Sequence, residues 1–329
     1  MNYKDNFLLK KDIITIGIST LAFYNKPKED IVKVAESFNW LLEFSSSFPY
    51  DKDMISYFKE IDVARLAHNY FPAPKIPFVM NLASNNQSIR KQSISHCIQG
   101  LNLSKQCGAD YFSAHAGFCI DPNPEQLGKQ LDVNIQISRL INWRLFLESI
   151  NEILIEAKKL NISFLIENNV TAKFNLREDG QEVLFCSKPH EMVQLINQVN
   201  SPMFGILLDT AHLKVSSRAL NFNLEEAVNM IQPFVKYIHH SDNNGEKDTN
   251  EPLDATYWFL PYMKRFSNCL HISFSKRKKY FGDSRNTKNN LTVPRYIRLL
   301  MHQFSFFLQA GQNCCGFLSF SFPCCRFFR

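Results

Sequence analysis

The stretch Phe204-Gly-Ile-Leu-Leu-Asp-Thr-Ala-His-Leu213 decides how this chain is read. Its apolar run from Gly205 into Asp209 is the pattern of a strand buried on both faces. A carboxylate where such a strand stops sits at the mouth of a sheet, within reach of water or a cation. An imidazole three positions on, His212, returns to the same spot across a short turn. Alone, an Asp-x-x-His pair is explained equally well by a turn aspartate beside a solvated histidine. Its weight comes from other strands that end in the same way.

Upstream, Ile13–Ser19 is short and β-branched, and Lys28–Phe38 has the apolar spacing of an amphipathic helix. Trp40–Phe44 reads as a second strand ending near Glu43, taken here as a solvated charge or a partner of a ligand. A short helix over Met54–Ile61 precedes a third strand, Val63–His68. A helix over Ile89–Cys107 closes at Gly108, where a helix end favours glycine. The fourth strand is Asp110–His115. A helix from about Ile135 to Leu160 leads to the fifth strand, Ile162–Glu167, and Pro189 opens a helix through Val199. After the central strand comes a loop, then a helix over Leu224–Ile231. A seventh strand, Val235–His239, runs into His240-Ser-Asp242, and Asp254–Phe266 reads as a seventh helix. Asn268–Phe274 is a doubtful eighth strand.

Strand and helix thus alternate over roughly 250 residues, the span of a closed α/β barrel. The expected class is therefore α/β, a TIM (β/α)8 barrel over residues 1–272. In that architecture chemistry gathers where strands end, and five ends carry a candidate ligand: His68, His115, Glu167, Asp209 and His239. A doubly wound open sheet would concentrate ligands at one switch point, and no G-x-G-x-x-G phosphate loop is present. Buried Glu, Asp and His together are costly without a cation. Such a mixed donor set suits Zn, Mn, Fe or Co. His68 and His115 taken singly are equally well read as imidazoles bonded to backbone carbonyls.

The formal net charge of +6 misleads. Residues 254–329 hold twelve Lys/Arg against two Asp and no Glu, so residues 1–253 carry a balance of −4. A nucleic-acid reading drawn from overall charge would rest on the wrong segment. Four of the nine cysteines, Cys314, Cys315, Cys324 and Cys325, fall in that same Phe-rich tail, which marks 273–329 as an atypical extension. The lack of C-x-x-C spacing argues against zinc ribbons and disulfide frameworks. With no secretory signal in the opening residues, a reducing cytoplasm is the expected home. Leu299–Cys325 has no charged residue, but His302, Gln303, Gln309, Gln312 and Asn313 make it a poor membrane span. It is read as a loosely packed extension.

Several segments together resemble the xylose-isomerase-like TIM barrel family, which includes sugar phosphate isomerases and epimerases and endonuclease IV (AP endonuclease family 2). They are His68-Asn-Tyr-Phe-Pro72, His115-Ala-Gly117, Ile166-Glu-Asn168, Leu208-Asp-Thr-Ala-His212 and His239-His-Ser-Asp-Asn243, with Asp248-Thr-Asn250 behind. The resemblance covers about residues 13–266. It implies Glu167, Asp209 and His239 as ligands of a divalent metal ion (Mn, Zn, Co or Mg). It also implies catalytic roles for Glu167 and His212, with His68, His115, Asn168 and Asp242 binding substrate. His239 is preferred over His240 because it holds the family's ligand position; strand alternation alone leaves that choice open.

Two departures stand out. The trinuclear nucleases of the family carry D-x-H where this chain has Asp248-Thr-Asn250, and an amide is a poor zinc ligand. The family also ends its eighth strand in glutamate, whereas this region reads Leu270-His-Ile-Ser-Phe-Ser-Lys276. The preferred expectation is a sugar or sugar-phosphate isomerase/epimerase working by proton abstraction beside a carbonyl, through an enediolate. The alternatives are an endonuclease IV-like zinc phosphodiesterase acting on abasic DNA, and a barrel that binds a sugar or a partner without turnover. A small-molecule sugar is the expected partner. Nucleic acid and membrane are disfavoured, and a homodimer is left open.

Overall fold

The computed structural model describes residues 15–23 and 26–274. The Phe/Cys-rich extension lies outside the described residues except for Ser273 and Phe274, as do the opening residues of the chain. Among the described residues no helix is long and apolar enough to cross a membrane.

The strands are β1 (Thr15–Ser19), β2 (Leu41–Phe44), β3 (Arg65–Ala67), β4 (Tyr111–His115), β5 (Ser163–Glu167), β6 (Phe204–Asp209), β7 (Val235–His240) and β8 (Leu270–Ser273). They form one parallel sheet in the order β3-β2-β1-β8-β7-β6-β5-β4. The two outer strands meet where His68 bridges to Ser113, which brings the sheet round into a barrel. Around it lie α1 (Lys28–Phe38), α2 (Met54–Glu60), α3 (Gln87–Gln106), α4 (Arg139–Leu160), α5 (Pro189–Val199), α6 (Thr210–Leu220) and α7 (Leu224–Ile231).

Strand alternation sets the interior. Leu41, Leu66, Leu165, Leu207, Tyr237, Leu270 and Ile272 pack into one buried cluster. Burying each such side chain contributes roughly 1.5–3 kcal/mol. Successive side chains on a strand point to opposite faces, so the residue two positions on returns to the interior. That places Glu43, His68, Glu167, Asp209 and His239 one layer above Leu41, Leu66, Leu165, Leu207 and Tyr237. The apolar layer is the floor of the site. At Gly17 on β1 the packing is so close that a Cβ would stand 2.3 Å from Ile272 Cδ1 and 2.5 Å from the carbonyl oxygen of Leu41.

Several helices end in the left-handed region without glycine. Asn39, Asn161, Asn200 and Asn221 close α1, α4, α5 and α6 at φ 50°, 50°, 43° and 54°. Asparagine tolerates this conformation better than other residues with a Cβ.

Three elements differ from the sequence expectation. The eighth strand is present, pairing with β1 at Gly17↔Ile272 and with β7 at His239↔Ile272. The expected loop after the central strand is the helix α6, which starts at once because Asp209 caps it: its Oδ1 accepts the backbone N–H of His212 at 2.8 Å. The expected helix over 254–266 is a shorter 3₁₀ segment, Leu260–Phe266, with Pro261 in its first turn.

Candidate metal centre

At the C-terminal mouth of the barrel the five expected strand-end residues converge. Glu167 is central and nearly inaccessible, at 2%. Its Oε1 lies 3.1 Å from His239 Nδ1. Its Oε2 lies 3.3 Å from both His68 Nε2 and His115 Nδ1. Asp209 Oδ2 is 3.9 Å from His239 Nδ1. Donor atoms of His68, His115 and Glu167 fall within 4.8 Å of one another, as do those of Glu167, Asp209 and His239. Glu167 belongs to both sets, with one oxygen turned to each.

The imidazoles are oriented from behind. His68 Nδ1 is 2.8 Å from Ser113 Oγ, which leaves Nε2 facing Glu167. His212 sits in the first turn of α6 and sends Nδ1 to the carbonyl of Asn168 at 2.8 Å. Its Nε2 then faces Asp248 Oδ2 at 3.3 Å and Asp209 Oδ2 at 4.0 Å. Such outer contacts fix the tautomer and aim the free nitrogen.

Two expected substrate contacts are engaged elsewhere. The Asn168 side chain clasps Asp209, donating to its carbonyl at 3.1 Å and accepting its N–H at 2.7 Å. Asp242 receives Lys214 Nζ at 2.6 Å and bridges to Glu251 through the backbone. Asn250, the replacement for a family histidine, turns its amide oxygen to Ser241 Oγ at 3.1 Å.

Glu43 is no solvated charge. It is fully buried, its Oε2 is 2.7 Å from His239 Nε2, and it accepts the hydroxyl proton of Tyr237. The overlooked signal is parity: Glu43 stands two residues after Leu41, as Glu167 does after Leu165. Asp248 also joins the site, through His212.

Charge follows from these contacts. Burial pushes the Glu167 carboxyl up, but the imidazoles of His115 and His239, the latter hydrogen-bonded to Oε1, hold it well below the usual range. Burial opposes a charge on His239, yet Glu43 and Glu167 carry it up to about 10. Burial lifts Asp209 to about 6 against the pull of His212, with Glu167 and Asp248 adding to the rise. His212 is disfavoured as a cation by burial, but Asp209 and Asp248 raise it well above 6.5.

These residues fit a divalent cation. Glu167 Oε2 is buried without a hydrogen-bond partner, although two imidazole nitrogens stand 3.3 Å away. The donors are imidazole nitrogens and carboxylate oxygens with no thiolate, a combination suited to Zn²⁺, Mn²⁺ or Co²⁺. A cation at Glu167, Asp209 and His239 would take the place of a proton on His239 Nδ1.

The pattern described as Xylose isomerase-like TIM barrel matches residues 34–266. The chain belongs to that family. A "Probable endonuclease 4" of Aquifex aeolicus is 22% identical over 236 residues, 67% of this chain and 74% of the relative. Another, of Mycoplasmoides gallisepticum, is 20% identical over 283 residues, 83% of this chain and 80% of the relative. In shape the barrel is similar to a D-tagatose 3-epimerase-like protein, with TM-score 0.65 and 16% identity over 91% of this chain and 100% of that one. At that identity the likeness speaks for the fold of this family member.

Proposed function

We propose that this family member is a divalent-metal-dependent phosphodiesterase of the endonuclease IV kind, cleaving the DNA backbone beside an abasic residue. The observation that carries the reading is Glu167, with His239 and Asp209 on the side of one oxygen and His68 and His115 on the other. Each side offers three donor groups that would suit a divalent cation, with Glu167 common to both. An epimerase built on a single cation would use His68 and His115 for substrate contacts, whereas both turn a ring nitrogen to the Glu167 carboxylate at 3.3 Å. The curated relatives named endonuclease 4 support the same reading.

Glu167, Asp209 and His239 would hold one cation, and Glu167, His68 and His115 the other. Bound there, divalent cations lower the pKa of water and neutralise charge growing on a phosphate. The chain's own part is preorganisation. Ser113 and the Asn168 carbonyl aim two imidazoles, the N-cap bond of Asp209 leaves Oδ2 facing His239 and His212, and the apolar floor keeps water from below. Asp248 and His212 form the pair at the rim that can hold or accept a proton. Asp248 Oδ1 has no hydrogen-bond partner and its side chain is 21% exposed.

A second reading, the sugar or sugar-phosphate epimerase, is favoured by the likeness to the D-tagatose 3-epimerase-like structure and by the acidic balance of residues 1–253. Against it, the carboxylate nearest His239 besides Glu167 and Asp209 is the sealed Glu43. Proton transfer on a second face of a sugar needs an accessible acid or base. The decisive assay incubates protein reconstituted with Zn²⁺ or Mn²⁺ with a duplex holding one abasic site and, separately, with ketohexoses. Strand cleavage abolished by EDTA and restored by metal is expected. An intact duplex beside interconverted ketoses reverses the assignment.

A further inference from the structure

Glu43 is a buried carboxylate that neither triad of the proposed metal centre needs, although its donor atom also lies within 4.8 Å of donors on His68 and His239. It is the penultimate residue of β2, and its Oε1 has no hydrogen-bond partner. Its Oε2 accepts from His239 Nε2 at 2.7 Å and from the Tyr237 hydroxyl. On the opposite edge of the same imidazole, Nδ1 lies 3.1 Å from Glu167 Oε1 and 3.9 Å from Asp209 Oδ2. The ring is held on several sides: Phe274 lies over it with centroids 4.9 Å apart, and Tyr237 and His68 meet it edge-on at 5.0 and 4.9 Å. The ring therefore presents one nitrogen to Glu43 and the other to the cation position.

A neutral imidazole has one N–H, and the other nitrogen offers a lone pair. Were the proton on Nδ1, it would point into the ligand set and exclude the cation. We propose that Glu43 is a positioning residue of the metal centre: by accepting the Nε2–H of His239 it keeps the lone pair of that ring on Nδ1, the atom beside Glu167 and Asp209. The Tyr237 hydroxyl fixes the carboxylate in turn. Glu43 thereby forms a carboxylate–histidine–metal relay from β2, two strands away from β8 across β1. This inference rests on the metal-centre reading above. It adds that a buried carboxylate outside the ligand set controls affinity.

The test uses the full chain, Zn²⁺ in competition with a chromophoric chelator, and the visible absorption of bound Co²⁺. Glu43→Gln is expected to weaken binding about 10–100-fold, the usual consequence of losing an outer partner of a ligand. The number of ions held at saturation should stay the same, and the Co²⁺ spectrum should shift because one ligand nitrogen is less well aimed. Tyr237→Phe should show a smaller loss of the same kind. Wild-type affinity and an unchanged spectrum in Glu43→Gln overturn the proposal. So does one fewer ion at saturation, which would make Glu43 a ligand itself. Should Glu43→Gln not fold, Tyr237→Phe decides alone: weakened binding supports the relay and unaltered binding overturns it. Wild-type protein that takes up neither ion overturns the metal-centre reading too, so failure at that level is told apart from failure of the relay.

Discussion

His239 and His240 are consecutive on β7, equally buried, and pushed in opposite directions by their neighbours. His239 turns into the barrel mouth between Glu43 at 2.7 Å and Glu167 at 3.1 Å, and these carboxylates overcome burial to carry it up to about 10. His240 turns away, to the Tyr257 hydroxyl at 3.0 Å and His271 Nδ1 at 2.8 Å. There burial, joined by the imidazoles of His271 and His239, pushes it well below its ordinary value. The residue type is the same and the neighbours decide. One region stores carboxylates that invite a cation; the other is a hydrogen-bonded network that fastens β7 and β8 to the segment between them. The network reaches back to the site, because Tyr257 donates to Thr210 Oγ1 at 2.6 Å and Thr210 donates to the His239 carbonyl at 3.0 Å.

The largest expected effect belongs to the cation-inviting side. Glu167→Ala removes the group common to both triads, so metal analysis after dialysis should find both cations lost and turnover reduced by more than about a hundredfold. A variant that kept its metal would separate Glu167 from the centre. Chelation of the wild type should lower its melting temperature by several degrees, because a ligand present at a hundredfold its dissociation constant adds about 2.7 kcal/mol. Calorimetry with and without EDTA measures this, and an unmoved transition would mean that the cluster holds no cation in the folded state.

The neutral side predicts a pH effect. Burial, eased in part by the Phe266 carbonyl at 2.9 Å, pushes His271 down to about 4. The groups facing it from neighbouring elements include His240 on β7, with Tyr257 behind, and the Phe266 carbonyl. A depressed imidazole favours the neutral fold, so its contribution is present above the unfolded value near 6.5. It is lost as pH falls from there through about 4. His271→Gln keeps a donor and an acceptor but cannot titrate. In the presence of chelator, its stability loss between those pH values should be smaller than the wild type's by on the order of 3 kcal/mol. Superimposable pH profiles for the two proteins would show that His271 takes its proton without resistance.

Much of this contrast was legible in the chain. Strand ends at His68, His115, Glu167, Asp209 and His239 follow from apolar runs that stop at a ligand-type residue, and the structure brings all five together. Two things were hidden for a physical reason. Parity depends on pairing register, so the His239 or His240 choice needed Asp209↔His239 and His239↔Ile272 to be known. Burial is a property of the closed barrel, so a glutamate on the short strand Leu41–Phe44 reads as solvated until the neighbouring strands cover it. The helix α6 was hidden because Asp209 serves both as strand end and as N-cap. The eighth strand looked doubtful because it lacks the expected glutamate, yet pairing is a backbone property and does not require that side chain. Gly17→Ala sharpens this point. A methyl group wedged against Ile272 and the Leu41 carbonyl should cost about 1–3 kcal/mol in urea unfolding. An unchanged midpoint would mean that β1 is not clamped between β2 and β8.

The smallest expected effect separates the site from its surroundings. The resemblance gave Asp242 a substrate role, whereas its carboxylate receives Lys214 at 2.6 Å and the backbone N–H of Asn243 at 2.9 Å. Both side chains of the ion pair are partly exposed, and such pairs are worth at most about 1 kcal/mol. Asp242→Asn keeps the shape of the loop and removes the charge. If Asp242 only ties the loop after β7 to α6, the variant should lose no more than that amount of stability and leave KM and kcat alone. If it binds substrate in ground and transition state alike, KM should rise with kcat unchanged, because uniform binding is then what has been lost. Steady-state kinetics on the metal-reconstituted protein distinguishes the two, and a raised KM would extend the cation-inviting region outward past Asp248 to the rim.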